Sequence, residues 1–256
     1  MTWGWLSYLA LAGVGVAAGA LNVIAGGGSF LTLPAMIFLG LPATVANGTN
    51  RIAILVQNAG AVWGFQRRKL VSWRWLLRAG LPALVGALLG AWLATRIGDR
   101  SFERILSILM VVVSLASLWR PASAAAGERE GAPEAPGETW RRAALAAGFF
   151  LVGVYGGFVQ AGTGFLFLAV LTWAGFDLVR GNALKVLVIL LWTPLSLWVF
   201  AAHGQVAWAP GLALAAGNLS GALLGVRLTV LKGHAWVRRV VTVAVIAFAI
   251  LLWLVP

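Results

Sequence analysis

Apolar runs of near-constant length alternate with short polar interruptions along the whole chain. Runs at 5–24, 41–65, 76–95 and 102–119, and again at 142–160, 179–201, 206–226 and 237–255, hold about 18–25 residues each. At ~1.5 Å rise per residue such helices match the ~30 Å hydrocarbon thickness of a bilayer. Two further runs, 32–39 and 165–174, are too short to cross upright, since eight to twelve helical residues rise only roughly 12–18 Å. Each follows a glycine-rich break, and each fits a half-helix or re-entrant element. The pattern predicts an all-α polytopic membrane protein of 8–10 membrane segments.

The interruptions repeat. Ala25-Gly26-Gly27-Gly28, then Phe30, Gly40 and Asn47, align after one gap with Ala161-Gly162-Thr163-Gly164, then Phe165, Gly175 and Asn182. The same offset of 135 residues carries Trp73 onto Trp208 and Gly86-Ala87-Leu88-Leu89-Gly90 onto Gly221-Ala222-Leu223-Leu224-Gly225. The chain thus divides into a first membrane repeat over 1–119, a polar linker over 120–140 carrying Glu128, Glu130, Glu134 and Glu138, and a second membrane repeat over 141–256.

Composition agrees with the pattern. Hydrophobic residues make up 61% of the chain and charged residues 10%, more apolar surface than a soluble core of this length can hide. Mean hydropathy is +0.92. The net charge of +12 comes from Arg and Lys gathered at the ends of apolar runs, a positive-inside bias rather than a nucleic-acid surface. The basic stretch at 67–78 corresponds to 202–213, which has no Lys or Arg, whereas 227–239 carries Arg227, Lys232, Arg238 and Arg239. Basic stretches change sides between the copies, which predicts inverted repeats, a cytoplasmic linker and both termini in the periplasm. No basic residue precedes Arg51, so the first run is expected to be kept rather than cleaved. Cysteine is absent, and no phosphate loop, zinc spacing or nucleophile elbow occurs, so neither a cofactor, a metal site nor an enzyme is expected. No sequence signal sets the oligomeric state.

Candidate binding residues gather at the two interruptions. A glycine break at membrane depth is tolerated only against protein or a wet cavity, and paired breaks in inverted halves point to a transporter site. The short helices after them would offer N–H groups to an anion. This singles out Gly27 and Gly28 in the first copy and Gly162, Thr163 and Gly164 in the second. Asn47, Thr49 and Asn182 are N-cap residue types ahead of apolar runs, able to restart a helix and to direct spare hydrogen-bonding capacity at a ligand. Asn50 stands beside them. Arg51 lies about ten residues into its run, near the bilayer centre, where a cation needs a partner or water. Six of the seven acids fall in loops or the linker and Asp177 at a segment edge, so an anionic ligand or a wet cavity is expected beside Arg51. Lys185 stands one position from the internal match of Arg51 and either joins the site or snorkels outward. Gln57, Asn58 and Gln160 are further polar residues within runs, while His203 and His234 fall in expected loops.

At these two motifs the sequence resembles the sulfite exporter TauE/SafE family of membrane permeases. The likeness covers nearly the whole chain and is most specific at Gly26-Gly27-Gly28 through Pro34, Gly40-Leu41-Pro42 and Asn47-Gly48-Thr49. It implies a bacterial inner-membrane transporter of sulfur-containing anions such as sulfite, sulfoacetate or other organosulfonates. The second copy departs from the first, with Thr163 at the middle glycine and no proline after Gly164. An inside-negative potential favours anion exit by about 2.3 kcal/mol per charge per 100 mV, so alternating-access export needs no coupling ion. The rival readings are an anion channel and a proton-coupled importer of sulfonates.

Overall fold

The computed structural model describes residues 4–118 and 139–254, so Trp119 and nearly all of the expected linker fall outside the described residues. The described residues form α1 (Trp5–Ile24), α2 (Ser29–Phe38), α3 (Ala43–Gln66), α4 (Trp73–Thr95), α5 (Asp99–Leu118), α6 (Thr139–Phe158), α7 (Thr163–Trp173), α8 (Leu178–Ala202) and α9 (Trp208–Leu254). Helix α9 is interrupted at Gly233, whose φ of 71° and ψ of −170° are non-helical. The basic stretch at 227–239, expected as a loop, is therefore helical on both sides of one glycine, and His234 lies within helix rather than loop.

Among the described residues four helices are both long and apolar enough to cross a membrane: α1, α4, α8 and the Trp208–Gly233 part of α9. Helices α3, α5 and α6 have the length, with 24, 20 and 20 residues, but carry more polar sequence. In α5 and α6 the charge sits in the opening turns, at Asp99, Arg100, Glu103 and Arg104 and at Arg141 and Arg142. In α3 the polar residues are internal and buried: Asn47, Asn50, Arg51 and Gln57 are all fully enclosed. Outward faces are apolar instead, with Leu77, Val85, Leu151 and Trp198 exposed, the arrangement a lipid solvent requires.

Helices α3 and α8 pack on each other at the centre, with α9 and then α1 on one side and α4 and then α6 on the other. The two outer pairs interlock through small residues four apart. Gly15 and Gly19 of α1 sit against the α9 backbone at Leu214 and Asn218, and Gly217 and Gly221 return the contact at Ala12 and Val16. Gly86 and Gly90 of α4 meet Phe150 and Val154 of α6, answered by Gly153 and Gly157 at Ala83 and Ala87. With no apolar driving force between helices in lipid, such backbone approach supplies the dispersion contacts that hold helices together. Each pair joins a helix from before the linker to one from after it.

The short helices form where the sequence places short runs. Helix α2 has 10 residues and α7 has 11, each rising only roughly 15 Å. Pro34 lies inside α2, on its sixth residue rather than in its first turn. The glycine breaks ahead of the two helices touch: a Cβ built on Gly26 would overlap the Gly164 backbone, and the reverse holds. Gly26 also has φ +95°, which an L side chain rarely adopts. Beside this contact the Phe30 and Phe165 rings stack with centroids 6.1 Å apart. The N-terminal ends of α2 and α7 therefore meet in the protein interior, and no side chain caps either of them.

Candidate functional site

Each break leaves the last carbonyls of the preceding helix without intrahelical partners. In both places a helix from the other half supplies the donors. At the end of α6, Arg51 Nη1 donates to Gly156 O at 3.3 Å and Nη2 to Gly157 O at 2.5 Å, while Asn47 Nδ2 donates to Phe158 O at 2.9 Å. At the end of α1, Lys185 Nζ donates to Asn22 O at 3.0 Å and Val23 O at 3.1 Å, and Asn182 Nδ2 to Ile24 O at 2.9 Å. The asparagine takes the final carbonyl and the cation the two before it, in both cases. A cation at a helix C-terminus also meets the negative end of the helix dipole.

This geometry changes the roles read from sequence. Asn47, Thr49 and Asn182 do not cap their own helices, because Pro42 and Asp177 stand at the N-caps and set the starts of α3 and α8 earlier. The two asparagines cap the C-termini of other helices, and Thr49 Oγ1 accepts the Ala207 N–H at 2.8 Å. Asn50 is spent within the first half, donating to Ser29 Oγ at 3.0 Å and accepting from Thr32 Oγ1 at 2.8 Å. Asp177 Oδ1 accepts from Val179 N and Arg180 N, so it is an ordinary N-cap. His203 is the C-cap residue of α8, its Nδ1 within 2.7 Å of Val199 O.

The glycines are packing positions in this arrangement. Gly28 lies against Ala18 and Asn22 of α1, Gly164 against Gly26, and Gly162, in the left-handed region at φ 71°, against Phe30 and Val113. The Gly27 carbonyl accepts the Phe30 N–H at 3.0 Å. Thr163 Oγ1 donates to Val159 O at 3.4 Å.

The two buried cations are separate and unequal. Lys185 has three N–H donors and three acceptors, the third being Asn182 Oδ1 at 2.6 Å, so it is saturated and does not snorkel. The Arg51 guanidinium lies over the Phe200 ring at 4.4 Å and its Nε has no partner. The two cations hold different helices, Lys185 the end of α1 and Arg51 the end of α6. Arg180 pairs with Asp177 at 3.8 Å, and among the described residues no carboxylate pairs with Arg51.

Around Arg51 the chain gathers further unfilled polar atoms. Gly156, whose carbonyl Arg51 holds, packs against Trp192 and Thr163, a Cβ there falling 3.2 Å from Trp192 Cζ2 and 2.8 Å from Thr163 Cγ2. Trp192, Ser196 and Phe200 follow at four-residue spacing on one face of α8. Trp192 Nε1, Ser196 Oγ, both ends of the Gln160 side-chain amide and Asn47 Oδ1 are buried without partners, as is Arg51 Nε. Gln160 sits in the α6–α7 connection, pinned by Tyr155 OH donating to Ala161 O at 2.5 Å. Buried polar groups are almost always paired, so the open atoms around this guanidinium make it the candidate site, although Gln57, Asn58, Gln205, Asn218 and Thr229 also carry unpartnered buried atoms. Trp192 and Ser196 escape a sequence reading because they stand in the run Leu191-Trp192-Thr193-Pro194-Leu195-Ser196-Leu197-Trp198, where tryptophan reads as a lipid-facing residue. Among the described residues no group of three or more His, Cys, Asp or Glu could hold a metal ion.

A family model described as sulfite exporter TauE/SafE matches residues 11–252. The chain belongs to that family. Among curated relatives it is 32% identical to the probable membrane transporter protein YfcA of Escherichia coli K12, over 90% of this chain and 83% of the relative. It is 30% identical to a probable membrane transporter protein of a Sinorhizobium species, over 91% and 87%, and 28% identical to one of Haemophilus influenzae, over 90% and 88%. No solved structure matches the chain. Family membership makes the protein a probable membrane transporter, and the names of these relatives specify no substrate.

Proposed function

We propose that the protein exports a small sulfur-containing anion, sulfite or an organosulfonate, across the bacterial inner membrane by alternating access between two inverted repeats. The observation that carries this reading is the fully buried Arg51, with an open Nε, no carboxylate partner and the unfilled donors of Trp192, Ser196 and Gln160 close by. Donors outnumber acceptors there, and an anion is the guest such a set satisfies. The uncapped N-termini of α2 and α7 meet nearby and add positive potential. Sulfur enters through the family description, and export through the membrane potential, which drives an anion outward without a coupled proton.

Sulfite efflux from proteoliposomes tests the reading. Export is expected to saturate with substrate and to be accelerated by counter-substrate, as a carrier requires and a channel does not. Arg51→Ala is expected to abolish it in protein that still purifies as a folded species, whereas Ser196→Ala and Trp192→Phe raise the KM several-fold. A folded Arg51→Ala protein that exports sulfite at the normal rate would remove Arg51 from the site.

A further inference from the structure

The number of cations within reach of one ligand bears on the ligand's own charge. At the Arg51 cluster that number is one. Lys185 has all three N–H groups spent on Asn22 O, Val23 O and Asn182 Oδ1, leaving none for a ligand. Arg51 itself already gives Nη1 and Nη2 to the carbonyls of Gly156 and Gly157. The other open donors, Trp192 Nε1, Ser196 Oγ and the Gln160 amide nitrogen, are neutral, and two open acceptors, Asn47 Oδ1 and Gln160 Oε1, stand among them. A monoanion cancels the guanidinium and leaves the enclosure neutral. A dianion brings a second charge with no counter-ion and sets fully ionised oxygens against the two acceptors. An O–H or N–H on the guest instead satisfies those acceptors.

We infer that the site takes its substrate as a monoanion, hydrogen sulfite or a monosulfonate, and rejects divalent oxyanions including the sulfite dianion. This rests on Arg51 being the substrate's charge partner, and it sets sulfoacetate, with its additional carboxylate, behind the monosulfonates. Of the titratable groups on the elements packed around the site, Lys185 of α8 is spent on Asn22 O, Val23 O and Asn182 Oδ1. Tyr155 of α6 is bonded to Ala161 O, Asp99 at the start of α5 is bonded to Thr44, and His203 at the end of α8 is exposed. Helix α7 carries no titratable residue.

The test is binding to purified full-length protein, read by thermal stabilisation and by competition against labelled sulfite, with methanesulfonate and sulfate as probes of fixed charge. Methanesulfonate is expected to compete at least tenfold, and at the full cost of one unpaired charge roughly a hundredfold, more tightly than sulfate. Apparent affinity for total sulfite should fall in step with the hydrogen sulfite fraction between about pH 6 and about pH 8, while that for methanesulfonate stays level, in wild type and His203→Ala alike. Sulfate competing as well as methanesulfonate, or sulfite affinity rising with pH, overturns the inference while leaving sulfur-anion transport standing. Absence of binding by sulfite, methanesulfonate and sulfate together overturns both.

Discussion

Replacing Lys185 with methionine separates a helix-capping cation from a substrate-binding one. The substitution keeps an unbranched side chain of similar length and removes three hydrogen bonds, to Asn22 O, Val23 O and Asn182 Oδ1. Each acceptor left buried and unpaired costs about 1–3 kcal/mol. Against that, the ammonium no longer has to be desolvated, which returns several kcal/mol. Three unpaired neutral acceptors set against that return leave a net loss of about 3 kcal/mol. For a chain of this size that corresponds to a fall in melting temperature of roughly 6–12 °C. Thermal unfolding in detergent, followed by tryptophan fluorescence, measures it, with the exposed Lys232→Met as a control that should not shift. Substrate-induced stabilisation, expressed as apparent Kd, should stay within about threefold of wild type, since Lys185 has no N–H left to offer a ligand. A Lys185→Met protein with unchanged stability and lost substrate response would refute this division of labour.

Other outcomes follow from the same geometry. Gly26→Ala and Gly164→Ala should both prevent accumulation of folded protein, because each Cβ meets the other's backbone, whereas Gly13→Ala, with nothing within 4 Å of its added Cβ, should express normally; immunoblots and size-exclusion profiles decide it. Asp99 Oδ1 accepts from Thr44 N at 2.9 Å and Thr44 Oγ1 at 3.1 Å, holding the first turn of α3, so Asp99→Ala should cost about 1–2 kcal/mol in thermal unfolding without changing substrate affinity. The chain has no native cysteine, so Arg68→Cys and His203→Cys report sidedness directly. Impermeant maleimide on intact cells should label position 203 and miss position 68 until the membrane is opened, and the opposite result would invert the proposed topology.

What could be read from the sequence was local. The two short helices were predicted within a few residues of their observed positions, because glycine breaks and run lengths act through neighbouring residues. Arg51 could be recognised as lying at membrane depth because it stands ten residues into the apolar run 41–65. What it holds could not be read, since its partners are backbone oxygens 105 and 106 residues away, and a carbonyl leaves no side-chain signature. Lys185 and Asn182 hid their role for the same reason. The N-cap reading of Asn47 and Thr49 failed because Pro42 starts α3 a full turn earlier, leaving those polar groups free for other helices. At 227–239 a density of cations suggested a loop, yet one glycine at φ 71° redirects the helix without any turn.

The exchange of caps between the halves bears on how the molecule can be made. When the first half has entered the bilayer, the carbonyls closing α1 are still bare, and they remain so until the ribosome has passed residue 185. The donors waiting on α3 likewise have nothing to bind until α6 arrives. Neither half is a finished product on its own. Each is a template completed by the other, so biogenesis has to be a joint event late in translation, and a truncated first half should be cleared by quality control rather than accumulate.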